Sequence, residues 1–159
     1  MIDAATVERL GRHWEDGWNG PDLDVIMAPF ADEVVFSSPF VPRITGDPDD
    51  DTITGKAAVR DYLAAALVRS SDVRYTLDAA YAGTDTVVLV YTCHLPGGID
   101  KPGADLMRVD ATGQVVEWRC HYSSDPTAWR RWGAARAGRH AQPMSESWPS
   151  QYRSRRRRL

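Results

Sequence analysis

Cysteine is scarce. Cys93 and Cys120 are the only two among 159 residues, and no metal-ligand spacing joins them to each other or to the four histidines. Both lie in strand-like apolar runs and read as free buried thiols of a reducing compartment. Long apolar runs are missing as well: no uninterrupted stretch approaches the roughly 20 residues of a membrane span. Residues 1–8 lack the basic and apolar regions of a secretory leader, so a cytoplasmic protein without membrane contact is expected. Positive charge is short in the body. Residues 1–127 carry 10 Lys and Arg against 21 Asp and Glu, whereas residues 128–159 carry 9 against 1. An acidic body repels phosphate, which argues against nucleic acid as its partner; the four arginines at 155–158 are the one segment suited to anions. What remains is ordinary globular composition, 43% hydrophobic and 26% charged, sufficient for one core. One domain is expected over residues 1–132, followed by a basic, flexible segment 133–159 in which periodicity is lost.

Val7, Leu10, Trp14 and Trp18 recur at helical spacing and predict a first helix capped by Asp3 or Thr6. Asn19-Gly20-Pro21-Asp22 ends it and caps a short second helix over 22–28. Residues 32–38 read as a strand stopped by Pro39. Residues 41–54, with two prolines and the run Asp47-Pro48-Asp49-Asp50-Asp51, read as a solvated loop of the kind that forms a lid. That run lacks the Gly and Glu of a calcium loop. A third helix opens at Gly55-Lys56, with Val59, Tyr62, Leu63, Ala66 and Leu67 on its buried face. The upstream glycine of a phosphate loop is missing there.

Period-two patterning takes over beyond residue 72. Val73, Tyr75, Leu77, Ala79 and Tyr81 share one face, residues 86–95 are apolar on both, and 96–103 read as a Gly/Pro connection. Residues 104–110 and 114–123 form a hairpin, with Val116, Trp118, Cys120 and Tyr122 on one face of its second strand. A short helix near Asp125 and Trp129 follows. This order predicts an α+β fold: a strongly curved antiparallel sheet wrapped around three N-terminal helices, leaving a central cavity.

Asp105 is the most informative position. Met107 and Val109 lie two and four residues on, so a strand puts this carboxyl on an apolar face, where desolvation raises its pKa. Such a group serves as a hydrogen-bond donor or general acid near neutral pH. The competing reading is an Asp near a strand start that binds loop amides. Trp14, Trp18, Tyr91, Trp118 and Tyr122 point inward from different elements, either to wall a pocket or simply to fill the core. Of the histidines, His13, His121 and His140 suit surface roles, and His94 near a strand end is the best of them for chemistry. None has metal-ligand spacing, so no metal and no cofactor is expected. Ser37 and Ser38 lack the glycine pattern of a nucleophile elbow.

Three segments carry a family resemblance: Phe30-Ala31-Asp32-Glu33-Val34-Val35-Phe36-Ser37-Ser38-Pro39-Phe40, Thr54-Gly55-Lys56-Ala57-Ala58-Val59-Arg60-Asp61-Tyr62, and Ala104-Asp105-Leu106-Met107-Arg108-Val109-Asp110-Ala111-Thr112-Gly113-Gln114-Val115. Over about residues 5–123 the chain resembles the nuclear transport factor 2-like superfamily, and within it the SnoaL-like and ketosteroid-isomerase-like proteins. The resemblance implies a cone with a deep cavity. It also implies that Asp105 matches the protonated Asp of the ketosteroid isomerases and Trp14 their oxyanion-binding tyrosine. Tyr122 then matches a cavity tryptophan, while Ser38 stands where those enzymes carry their base. The expected function is a cofactor-independent enzyme of the isomerase, cyclase, dehydratase or epoxide-opening kind acting on an apolar small molecule. Asp105 is its catalytic residue, and Trp14, Trp18, Ser38, Tyr62, Tyr91, Trp118 and Tyr122 bind the substrate. The alternative is a non-catalytic ligand-binding or assembly domain, and a homodimer is expected from the apolar residues Val88 and Val90 on the convex face.

Overall fold

Residues 1–123 are described by the computed structural model. The boundary after residue 132, the segment 133–159 and the helix near Asp125 and Trp129 lie outside the described residues. The elements run α1 (Ala4–Asn19), α2 (Leu23–Met27), β1 (Phe30–Ser37), α3 (Val41–Thr45), β2 (Thr52–Thr54), α4 (Lys56–Arg69), β3 (Arg74–Ala82), β4 (Thr86–Leu95), β5 (Ile99–Val109) and β6 (Val115–Tyr122). Asp3 caps α1 by accepting from the Thr6 N–H at 2.7 Å. Asp22 caps α2 from the Asp24 and Val25 N–H groups, so both starts lie where side-chain acceptors meet orphan backbone donors.

The six strands form a curved, unclosed sheet in the order β2-β1-β6-β5-β4-β3, with helices against its inner face, an α+β fold. Neighbours pair antiparallel except β1 and β6, which run parallel. That exception to the all-antiparallel expectation has a simple cause: everything between these two strands forms one long crossover, as a parallel pair requires. The outer edge of β3 is covered by α1. Asn19 exchanges two hydrogen bonds with the Tyr75 backbone at 2.8 and 2.9 Å, and Glu15 accepts from the Leu77 N–H at 3.0 Å. These bonds occupy edge groups that would otherwise invite strand addition.

Four details correct the sequence reading. Residues 41–54 are not an open loop: they hold α3, ended by Gly46 at φ 81°, and β2, which pairs Thr52, Ile53 and Thr54 with β1. The helices therefore number four among the described residues. The connection read over 96–103 shrinks to a turn through Gly97 and Gly98 at positive φ, and β5 already runs from Ile99. Finally, a bulge between Leu77 and Ala79 inverts the end of β3. Leu77 pairs with the inward Tyr91, but Tyr81 pairs with Val88 and faces outward, 62% exposed. One extra residue exchanges the two faces of everything beyond it.

Beyond Thr86, β4 alternates strictly: Val87, Leu89, Tyr91, Cys93 and Leu95 are buried, and the residues between them are half-buried. In β5, Gly103, Asp105, Met107 and Val109 face inward. A bulge at the start of β6, where Arg108 pairs with Glu117 but Val109 with Val115, lets both Val115 and Trp118 reach the core.

Candidate active site

Asp105 lies mid-sheet on β5, between Leu89 of β4 and Cys120 of β6. The expected inward orientation is correct, and the carboxyl is 1% exposed. Two neutral side chains hold it. The Trp14 indole N–H donates to Oδ2 at 2.8 Å, and the Tyr91 hydroxyl donates to Oδ1 at 3.1 Å. Trp14 comes from α1 and packs its ring 4.4 Å from that of Tyr91, so helix and sheet fix both donors from opposite sides. Burial pushes the Asp105 pKa up to about 6. Hydrogen bonding from Trp14 opposes the rise, followed by Trp118, Cys120 and Tyr91. The Trp118 indole makes no hydrogen bond of normal geometry, so its effect on Asp105 is that of a nearby N–H dipole.

Gly103 makes this arrangement possible, and the sequence reading missed it. It pairs with Tyr91 across the strands, and a Cβ there would stand 2.5 Å from the Tyr91 ring and 2.8 Å from its hydroxyl oxygen. The missing side chain lets the phenol lie flat across β5 and reach a carboxyl two residues further on. A glycine inside a strand pattern was the available signal, since it marks a close approach by another group.

Around Asp105 lies a cavity of about 210 Å³. Trp14, Trp18, Tyr62, Tyr91, Trp118 and Tyr122 all line it with the carboxyl, so six of the seven expected binding residues converge on one space. Ser38 is the exception. It is buried beside the cavity and not in its wall: its Oγ accepts from the Phe40 N–H at 3.2 Å, and its hydroxyl lies against those of Tyr62 and Tyr122. Burial raises the pKa of Tyr62, Tyr75, Tyr91 and Tyr122, keeping the phenols neutral. The Cys93 thiol is pushed up to about 12 by burial and by Asp105, and Cys120 rises for the same reasons. Both are free thiols in the cavity wall and stay protonated, which leaves them poor nucleophiles.

His140 lies outside the described residues, and the other three histidines stand elsewhere. His94 is on the outer face, where Nδ1 meets Asp100 Oδ1 at 2.8 Å and Nε2 meets Thr76 Oγ1 at 2.9 Å; His13 and His121 do not line the cavity either. No group of three metal-ligating side chains occurs among the described residues, and no helix there is long and apolar enough to cross a membrane.

None of the curated proteins matches this chain. Solved structures do. A SnoaL-like protein of unknown function from Burkholderia thailandensis is 28% identical over 78% of this chain and 100% of its own, with a TM-score of 0.67. An NTF2-like protein of unknown function from Mesorhizobium loti is 22% identical over 78% and 97%, with a TM-score of 0.61. RV0760c from Mycobacterium tuberculosis, solved in complex with estradiol-17β-hemisuccinate, is 21% identical over 76% and 95%, with a TM-score of 0.59. These likenesses agree with the curved sheet and helices described above, and the sequence model of the SnoaL-like domain matches residues 11–118, more than half of the chain. The chain belongs to the SnoaL-like domain family.

Proposed function

We propose that the protein is a cofactor-independent enzyme that moves a proton on an apolar, carbonyl- or epoxide-bearing metabolite, with Asp105 as the group that carries the proton. The observation behind this reading is one carboxyl, 1% exposed, in the wall of a chiefly aromatic and aliphatic cavity. With a pKa of about 6, Asp105 is chiefly ionised at neutral pH and accepts from Trp14 and Tyr91. It then works first as a general base, and as a general acid once it holds the substrate's proton. Removal at one carbon and return at another is an isomerisation, with every proton accounted for. Trp18 and Trp118 bring buried indole N–H groups that have no hydrogen-bond partner among the described residues. They are the donors available to a carbonyl oxygen as negative charge develops on it. Trp14, matched by family resemblance to an oxyanion donor, has its N–H occupied by the carboxyl and acts here as a positioning residue. Tyr62 and Tyr122, backed by Ser38, orient the substrate. The ligand held by RV0760c supports taking the cavity as a small-molecule site.

Asp105→Asn keeps the shape and removes the proton carrier. Turnover of a substrate found by screening a metabolite panel should fall by about 10²–10⁴, and the wild-type rate should rise with pH through about 6. Unchanged turnover in the variant contradicts the assignment.

A second reading, assembly without catalysis, draws on the outer face, where exposed Tyr81 of the edge strand β3 pairs with half-buried Val88 of β4. It requires a homodimer by sedimentation that Tyr81→Ser weakens, together with no turnover of any panel member.

A further inference from the structure

The charges in the cavity wall are few and unevenly placed. Among the described residues that line it, Asp105 is the one carboxylate, and it is buried. Arg43 and Arg69 are the two cations among those same described residues. Arg43 is exposed and Arg69 half-buried, so both lie nearer solvent than the carboxyl, although the Arg69 Nε itself is buried. They come from two helices that pack together, α3 and α4. Arg43 lies over the Phe40 ring at 5.2 Å, and Phe40 packs on Tyr122 at 4.5 Å, which ties this guanidinium to the wall that Tyr122 shares. Arg69 stands close enough to Tyr62 to favour its phenolate.

Each arginine occupies the last turn of its helix, where a cation offsets the dipole. That accounts for a basic residue at each end; it does not account for both facing one cavity. The setting sharpens the point, because residues 1–127 hold 21 acidic against 10 basic side chains. An anion meets repulsion over most of this surface and attraction at this mouth.

We propose that the cavity's ligand is an amphipathic carboxylate: an uncharged apolar body inside, with its carboxylate held at the mouth by Arg43 and Arg69. This rests on the reading of the cavity as a small-molecule site and adds the ligand's charge and direction. The guanidinium fork suits a carboxylate, with two parallel N–H donors facing two oxygens. Asp105 reinforces the orientation from the other end. Its negative charge repels a second carboxylate, so the ligand enters with its uncharged end first. The reactive carbonyl or epoxide of such a ligand then sits beside Asp105, and the charged end never leaves water fully.

The test uses the full chain and two probes of one shape, 2-naphthoate and 2-naphthamide, titrated by calorimetry at neutral pH. At low salt the carboxylate should bind about tenfold more tightly than the amide, the value of one charge-assisted hydrogen-bonded pair. The gap should narrow with added salt and in Arg43→Gln. It should vanish when Arg69→Gln is added, with 2-naphthamide still bound by both variants. It should survive Asp105→Asn, since that carboxyl sets direction and does not hold the anion. Equal affinity for the two probes, or a preference that ignores both arginines, overturns the charge assignment and leaves the cavity reading standing. Binding of neither probe overturns the cavity reading and this inference together.

Discussion

Asp105 and Glu117 are two carboxylates on adjacent strands of one sheet, and they live in opposite electrostatic worlds. Asp105 faces inward and is raised to about 6 by burial. Glu117 faces outward opposite Arg108, accepts from Arg108 at 2.9 Å and from Arg119, and is held below the ordinary glutamate value by those two partners. Strand alternation assigns the faces, and the face decides whether an acid is a proton carrier or a surface anion. The neighbouring residues of β6 show the same division, since Trp118 is 1% exposed and packs on Phe30 and Phe36 while Arg119 is open to solvent.

The strongest contrast is expected in stability. Trp118→Ala should cost about 3–5 kcal/mol in chemical denaturation. Arg119→Ala, one residue away, should cost less than about 1 kcal/mol, and that small loss should fade with salt. Similar costs for the two would erase the inner and outer distinction.

Next comes the pH dependence of folding. The folded chain holds the Asp105 proton up to about pH 6, whereas an ordinary Asp releases it near 3.8. The folded state therefore binds more protons inside that window, and stability falls as pH rises through it. The expected loss is about 3 kcal/mol, levelling off above the folded value. Asp105→Asn should remove this fall when the two melting profiles are compared. Glu117 acts with the opposite sign: its depressed pKa adds stability that is lost as pH drops below the ordinary value of 4.5. Glu117→Gln should flatten the acid limb and leave the fall toward pH 6 in place.

A smaller effect isolates the carboxyl's support. Gly103→Ala forces the Tyr91 phenol away from β5. Losing that donor should raise the Asp105 pKa by about one further unit, shifting the same stability curve upward in pH without abolishing it. An unmoved curve would show that Tyr91 does not hold the carboxyl.

Much of this site was legible in the sequence because β5 is regular where it matters. Met107 and Val109 follow Asp105 at period two, and the irregularity at Arg108 and Val109 puts its extra residue on β6, so alternation placed the carboxyl correctly. Tyr81 was misplaced for the converse reason: the bulge near Asp78 leaves no trace in hydrophobicity. The three residues of β2 are too few to show a period, and its pairing with β1 is a tertiary fact. Inward aromatics were visible one by one, but which of them touch was not. That Trp14 donates to Asp105 depends on how α1 lies against the sheet, a contact 91 residues apart in the chain.

The most direct test is a carboxyl-carbon NMR titration of the folded protein, with Asp105 assigned by its loss in Asp105→Asn. The expected midpoint is near 6 for Asp105, with Glu117 titrating below its ordinary value. An Asp105 midpoint of about 4, that of a carboxyl in water, would contradict it.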